Sequence, residues 1–449
     1  MKIRNSKTTQ RVLGSQGVFA SQSPSGNSRV TRICSLALAF VCLCWCPPAE
    51  AHDQIPGKPQ SQPIAIVGAT IHPIVGDAIE GGVLLFEKGK ITAIGENVEL
   101  PGDCRVIDAE GKHLYPSIVE AYSDTGLVEI NSVRATIDSR EIGEFNPNIR
   151  AVTAFNPDSE IIPVNRANGV LLSVTAPSGG AISGRSSMMM LDGWTWEDMT
   201  LQADVGMHLS WSSRDEALES LEKFVEQAKR YGKLHTATDL RLEAMQPVLR
   251  GEMPVIASTR SAEDIRMCVA FAKRHGLKLI LLGGNGTDAC AELLKELDIP
   301  VIISGVYRNP GRRHAAYDGP YALPSKLEEE GVSFCISAGG RFGATGVRNL
   351  PYHAATAVAY GLDEASALEA ITLAPARILG LDDRVGSLQV GLDATLFIAD
   401  GDILETPTHV TQAFVQGREV DLDNKHSQLY RKYLAKQEKT SSSASDKGL

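Results

Sequence analysis

Several things are scarce in this 449-residue chain. Of its eight cysteines, Cys34, Cys42, Cys44 and Cys46 lie in the first 46 residues, and Cys104, Cys268, Cys290 and Cys335 are widely scattered. Beyond the first 46 residues no Cys-x-x-Cys spacing remains, which argues against a zinc cluster and leaves one disulfide open in an oxidising compartment. The longest apolar stretch, Ile33 to Trp45, is shorter than the roughly 20 residues that span a bilayer. A basic excess is also missing. The formal charge is -10, so a nucleic-acid partner is not expected.

What is present begins with export. Arg29 and Arg32 precede the apolar run, and Ala49-Glu50-Ala51 places small residues at a cleavage spacing, so residues 1–51 read as a signal peptide. Its removal takes away six basic residues and one acidic one and leaves about -15. The expected location is exported, periplasmic or secreted, with no stable membrane span after cleavage. The rest is long enough, and at 43% hydrophobic content apolar enough, to bury a large core.

From Pro63 to Cys104 the pattern is short β, with a hairpin turn at Glu87-Lys88-Gly89-Lys90. Strand-like runs recur near 391–400 and 410–420. Between these patches the rhythm becomes strand, helix, strand. "PVIAST" at 254–259 leads to a helix capped by Ser261 and stopped by Gly276; "KLILLGG" precedes a helix starting at Thr287, and "PVIISG" follows at 300–305. Uninterrupted apolar strands fit a parallel sheet buried on both faces. Ser213–Tyr231 is an amphipathic helix with Leu218, Leu221, Val225 and Ala228 on its core face. The terminal "SSSASDKGL" reads as disordered, after a short polar helix near Gln428–Gln437.

Three stretches together resemble the amidohydrolase superfamily, particularly its imidazolonepropionase-like branch: "GGVLLFEKGKITAIG" with "VIDAEGKHLYPSIVEAYSD", "GLDEASALEAITLAPARILGL", and "RVGSLQVGLDATLFIADGD". The resemblance covers most of residues 63–420. It implies an α/β fold, a TIM-like (β/α) barrel with a small composite β-sandwich formed by both ends of the mature chain. The boundaries that follow are 52–113 and 388–421 for the sandwich, 114–387 for the barrel and 422–449 for a tail.

The resemblance also implies a metal site, and there this sequence departs from the pattern. The family's His-x-His on strand one falls on Tyr122 and Asp124, and none of the ten histidines forms such a pair. Ser258 stands where strand five should offer a histidine. Gly283 and Gly284 stand near the strand-six position, and Ser337 and Ala338 near the strand-eight aspartate. Hydrolytic metals need about three protein ligands, so the expectation is no metal and no other cofactor.

In such barrels chemistry gathers at the C-terminal ends of the strands, which singles out Tyr122, Asp124, Ser258, Arg260, Asn285 and Arg341 as ligand-binding candidates. Asp124 is either a base or a capping carboxylate. Arg260 either clamps a substrate carboxylate or pairs with Asp124. The segment 307–321, rich in Arg, His and Tyr, reads as a lid over the barrel mouth, with His314 and Asp318 as acid-base candidates beside Asp124. "GGNG" at 283–286 is either an anion-binding turn or an ordinary strand-to-helix turn. Met188, Met189 and Met190 with Trp194 either line an apolar pocket or pack an inserted subdomain. Three functions stay open: a metal-free descendant that binds a small molecule or a partner, a hydrolase of carbon–nitrogen bonds using a different site, and a structural exported protein. Self-association into a homo-oligomer is open too.

Overall fold

The computed structural model describes residues 55–234, 237–310, 315–339 and 343–445. The segment read from the sequence as a signal peptide, His314 and Arg341 lie outside them. The chain opens with five strands: β1 (Ile64–Ile71), β2 (Ile79–Glu87), β3 (Lys90–Gly95), β4 (Arg105–Asp108) and β5 (His113–Pro116). The β2–β3 hairpin turns where expected, with φ of 50° at Lys88 and 77° at Gly89; two positive φ values match the strands' right-handed twist.

The barrel follows. Its strands are β6 (Ile118–Ser123), β7 (Val170–Thr175), β8 (Ile182–Met190), β9 (Thr200–Ser210), β10 (Val255–Ser258), β11 (Leu279–Gly283), β12 (Val301–Ser304) and β13 (Phe334–Ser337). They form one eight-stranded sheet in sequence order. All adjacent pairs are parallel except those of β8, which runs antiparallel to both β7 and β9. Helices α1 (Asp215–Leu234), α2 (Ala262–His275), α3 (Gly319–Glu330) and α4 (Leu350–Ala359) belong to this part of the chain. In α2, Ser261 accepts from the Asp264 amide and Gly276 stops the helix at φ 69°, as the sequence indicated. In α1, Leu221, Val225 and Ala228 are buried.

The chain then returns through β14 (Leu396–Ala399), β15 (Val410–Val415) and β16 (Arg418–Val420), and ends in α5 (Lys425–Ser445). The helix α5 continues through much of the serine-rich tail that the sequence suggested was disordered. Strand β14 pairs with β5, so both ends of the chain share one sheet, ordered β16-β15-β14-β5-β1-β2-β3 with β4 on β1. Phe86 of β2 and Phe414 of β15 have three strands between them along that path, yet their rings lie 5.2 Å apart. The sheet therefore folds over on itself as a sandwich around an apolar core. A buried carboxylate fastens it to the barrel. Asp192, just after β8, meets Arg166 at 3.1 Å and Arg418, the first residue of β16, at 3.3 Å.

Inward and outward barrel faces separate by strand period. Met207, Leu209, Val255, Ala257, Leu281, Val301 and Ile303 pack with the helices. Their alternates Ile256, Ile280, Leu282, Ile302 and Cys335 belong to a separate cluster and face the interior. The Met188–Met190 run is buried in β8, whereas Trp194 is 67% exposed, so those methionines fill core and do not share a pocket with that tryptophan. No helix among the described residues is long and apolar enough to cross a membrane. The four described cysteines are free, and the disulfide left open by the sequence does not form.

Candidate functional site at the barrel mouth

The interior polar groups begin with Glu120 on β6, an acid inside an otherwise apolar strand. It is fully buried. One carboxylate oxygen accepts from the Tyr122 amide at 2.9 Å and from the Ser337 hydroxyl, and the other accepts from the Ala338 amide at 2.8 Å. The Ser337 hydroxyl, with one proton to share, also lies 3.1 Å from the Tyr122 carbonyl. Glu120 thus stitches the first barrel strand to the last, where two edges would otherwise face each other unpaired. Burial pushes its carboxyl up to about 7, opposed by these hydrogen bonds.

One turn of the pleat further on lies Tyr122, whose ring is 5.7 Å from that of His208 on β9. His208 is in register with Ile256 on the neighbouring strand and so shares its inward face. Burial alone pulls its pKa down to about 4, which leaves a neutral imidazole at physiological pH. Among the described residues its Nε2 has no hydrogen-bond partner. Tyr122 itself is raised by burial and, secondarily, by the Asp124 charge.

Asp124 follows the end of β6. Its carboxylate accepts from the Ala344 amide at the start of a 3-10 turn after β13, and burial raises its pKa against that bond. This is the capping role left open in the sequence. The alternative pairing with Arg260 is not formed. Arg260 is exposed, its amide donates to the Asp264 carboxylate at 3.3 Å, and among the described residues no ion pair joins it to Asp124. The reason is local: Asp264 in the first turn of α2 captures the Arg260 backbone and turns the chain outward.

Ser258 ends β10, half-buried, and Asn285 is exposed in the turn after β11. Asp318 directly precedes α3 but its side chain makes no cap bond, and its pairing with His314 falls outside the described residues. The proposed lid is pinned at its start. The Val306 amide donates to Nδ1 of buried His353 at 3.1 Å, Tyr307 donates to the Tyr352 carbonyl at 2.7 Å, and Arg308 donates to the Gly283 carbonyl at 3.1 Å.

The family model described as "Amidohydrolase family" matches residues 197–420. The chain is 26% identical in sequence to an amidohydrolase from Thermotoga maritima MSB8 of known structure, with a TM-score of 0.74 over 80% of this chain and 99% of that one. This chain belongs to the amidohydrolase superfamily. Imidazolonepropionase from Symbiobacterium thermophilum is 24% identical over 74% of this chain and 85% of its own length. The amidohydrolase tasK from Hapsidospora irregularis is 24% identical over 75% of this chain, which spans only 39% of that relative.

Tyr122, Asp124 and Ser258 lie at strand ends of this amidohydrolase barrel, whereas Glu120, His208 and Arg308 were not among the residues singled out from the sequence. The first two carried a usable signal, since an ionisable residue inside an apolar strand must find partners or change its charge state. Among the described residues, one trio of His, Cys, Asp or Glu brings its donor atoms within 4.8 Å: Glu222, Glu226 and His275. It lies between α1 and α2, away from the mouth. The Lys229 ammonium sits there already, 2.7 Å from His275 Nδ1 and 3.1 Å from Glu226.

Proposed function

We propose that this protein is an exported, metal-independent amidohydrolase relative that binds a small organic molecule at the C-terminal mouth of its barrel. The observation that carries the reading is the state of Asp124, one oxygen of whose carboxylate is engaged by the Ala344 amide, with no second carboxylate or imidazole among the described residues converging on the other. The named positions around it offer phenol, hydroxyl and glycine from Tyr122, Ser258 and Gly283, with one buried imidazole, His208. Tight binding of zinc or a similar ion requires about three converging deprotonated ligands, and this donor set does not fit one. Export rests on the charge and small-residue pattern of residues 1–51.

A second reading, hydrolysis of carbon–nitrogen bonds of amide or cyclic-amide type, draws support from the relatives' names and from His208. A neutral imidazole with an unpartnered Nε2 beside a tyrosine is placed to accept a proton, although burial makes it a weak base. Elemental analysis of the purified protein separates the readings from a metallohydrolase, with near-zero zinc, nickel and manganese expected. About one metal per chain, lost in Asp124→Ala, would overturn the proposal. A metal-free protein that hydrolyses amides or lactams, and loses this in His208→Gln, would establish the second reading.

A further inference from the structure

The last helix of the chain is fastened only at its start. The Asn424 side chain caps α5, accepting from the His426 and Ser427 amides at 3.0 and 3.2 Å, and Arg348 donates to His426 Nδ1 at 2.8 Å. Arg431 reaches back to Asp423 at 2.7 Å. Every residue from Leu429 to Gln437 is nonetheless exposed, so this stretch stands clear of the body. A helix with water on all sides has no packed face to hold it.

Its residues are not those of a purely solvated helix. Tyr430 is 69% exposed and Tyr433 58%, with Leu429 and Leu434 exposed beside them. At spacings of three and four, these side chains form one contiguous stripe. Lys425, Lys432 and Lys436, seven and four positions apart, line one flank of it. From Lys425 to Gln437 the sequence has four Lys or Arg and no acid, in a chain whose formal charge is -10. Leucine and tyrosine on one side with lysine along the edge suit a membrane interface, where the phenol ring bridges apolar and polar layers and the cations meet lipid phosphates.

A second copy of the same helix fits the stripe less well. No heptad frame keeps an apolar seam: the one through Leu429 and Tyr433 runs into Lys436, and the one through Tyr430 and Tyr433 runs into Gln437. Like charges on the two helices would also repel. We propose that α5 is an interfacial helix that docks the protein on an anionic phospholipid surface. It lies on that surface, since no helix among the described residues is long and apolar enough to cross a membrane. This inference is independent of what binds at the barrel mouth.

The test sediments the chain from His52 to Leu449 with sucrose-loaded vesicles of phosphatidylcholine, either pure or with phosphatidylglycerol at roughly one lipid in three. Binding to the phosphatidylglycerol vesicles is expected, about ten-fold or more above that to pure phosphatidylcholine, and weakening as salt rises. Lys425→Gln with Lys432→Gln should reduce it by about twenty-fold, at about five-fold per cation, and Tyr430→Ser with Tyr433→Ser by about ten-fold. All four positions are exposed, and melting temperatures equal to the parent's show that the variants are folded. A chain ending at Asn424 should stay in the supernatant. The inference is overturned if neither vesicle is bound, if the two compositions bind alike, or if either double variant or the shortened chain binds as tightly as the parent. A dimer seen by sedimentation without lipid, and lost in the tyrosine variant, would overturn it too, because a second copy would then cover the stripe.

Discussion

Replacing Glu120 by glutamine tests the barrel seam directly, because the substitution keeps the shape and removes the ionisation; it also turns one accepting oxygen into an NH2 facing the Tyr122 or Ala338 amide, a pH-independent loss that the pH series subtracts out. Folding raises this carboxyl from an ordinary 4.5 to about 7, so the folded protein holds a proton that the unfolded chain has released. The stabilisation from that proton is complete below about pH 4.5 and is lost as pH rises through about 7. The rise corresponds to on the order of 3 kcal/mol. Urea unfolding at closely spaced pH values from 4.5 to 8.5, for parent and Glu120→Gln, isolates the contribution by difference. The stability of the parent relative to the variant should fall by about that amount across the range. A difference that stays flat would refute the account, as would one that grows with pH, which would mean that the hydrogen bonds from Tyr122, Ser337 and Ala338 outweigh burial. Glu120→Ala is a harsher change. It leaves the Tyr122 and Ala338 amides unpaired at about 1–3 kcal/mol each and opens a cavity, and its cost should persist at every pH.

Other expectations follow from particular contacts. Asp192→Ala strands two guanidinium groups, Arg166 and Arg418, and should cost about 3–5 kcal/mol in chemical denaturation; a loss below about 1 kcal/mol would show that the pairs are dispensable. A chain ending at Arg384 lacks β14 and exposes the edge of β5, so it should melt at a lower temperature and less cooperatively than the full mature chain. In the mature protein, native thiol titration should modify Cys104 first, because Cys268, Cys290 and Cys335 are buried and burial raises their thiol pKa values, with the remainder reacting only on unfolding. N-terminal sequencing of the exported form should begin at His52, and a terminus upstream of Ile33 would show that the segment is retained.

Much of the fold was written in local pattern. The apolar runs of β10, β11 and β12, the Ser261 cap and the Gly276 stop of α2, and the Lys88-Gly89 turn are decided by neighbours a few residues away, which is why they can be read along the chain. The sharing of one sandwich by both ends was legible too, since each β patch alone leaves an edge to cover. Tertiary structure decided the rest. Nothing local reverses β8: its buried methionines suit either strand direction, and only its pairing with β7 and β9 chooses one. The partners of Asp124 and Glu120 are remote too. Asp124 meets an amide 220 residues away, and Glu120 bonds residues 217 and 218 positions along the chain. Arg260, which the sequence set beside Asp124 on charge alone, turns outward because its own helix cap holds its backbone. Charge and residue type fix what a group can do; the closure of the barrel fixes what it meets, because hydrogen bonds reach only a few ångströms and are blind to distance along the chain.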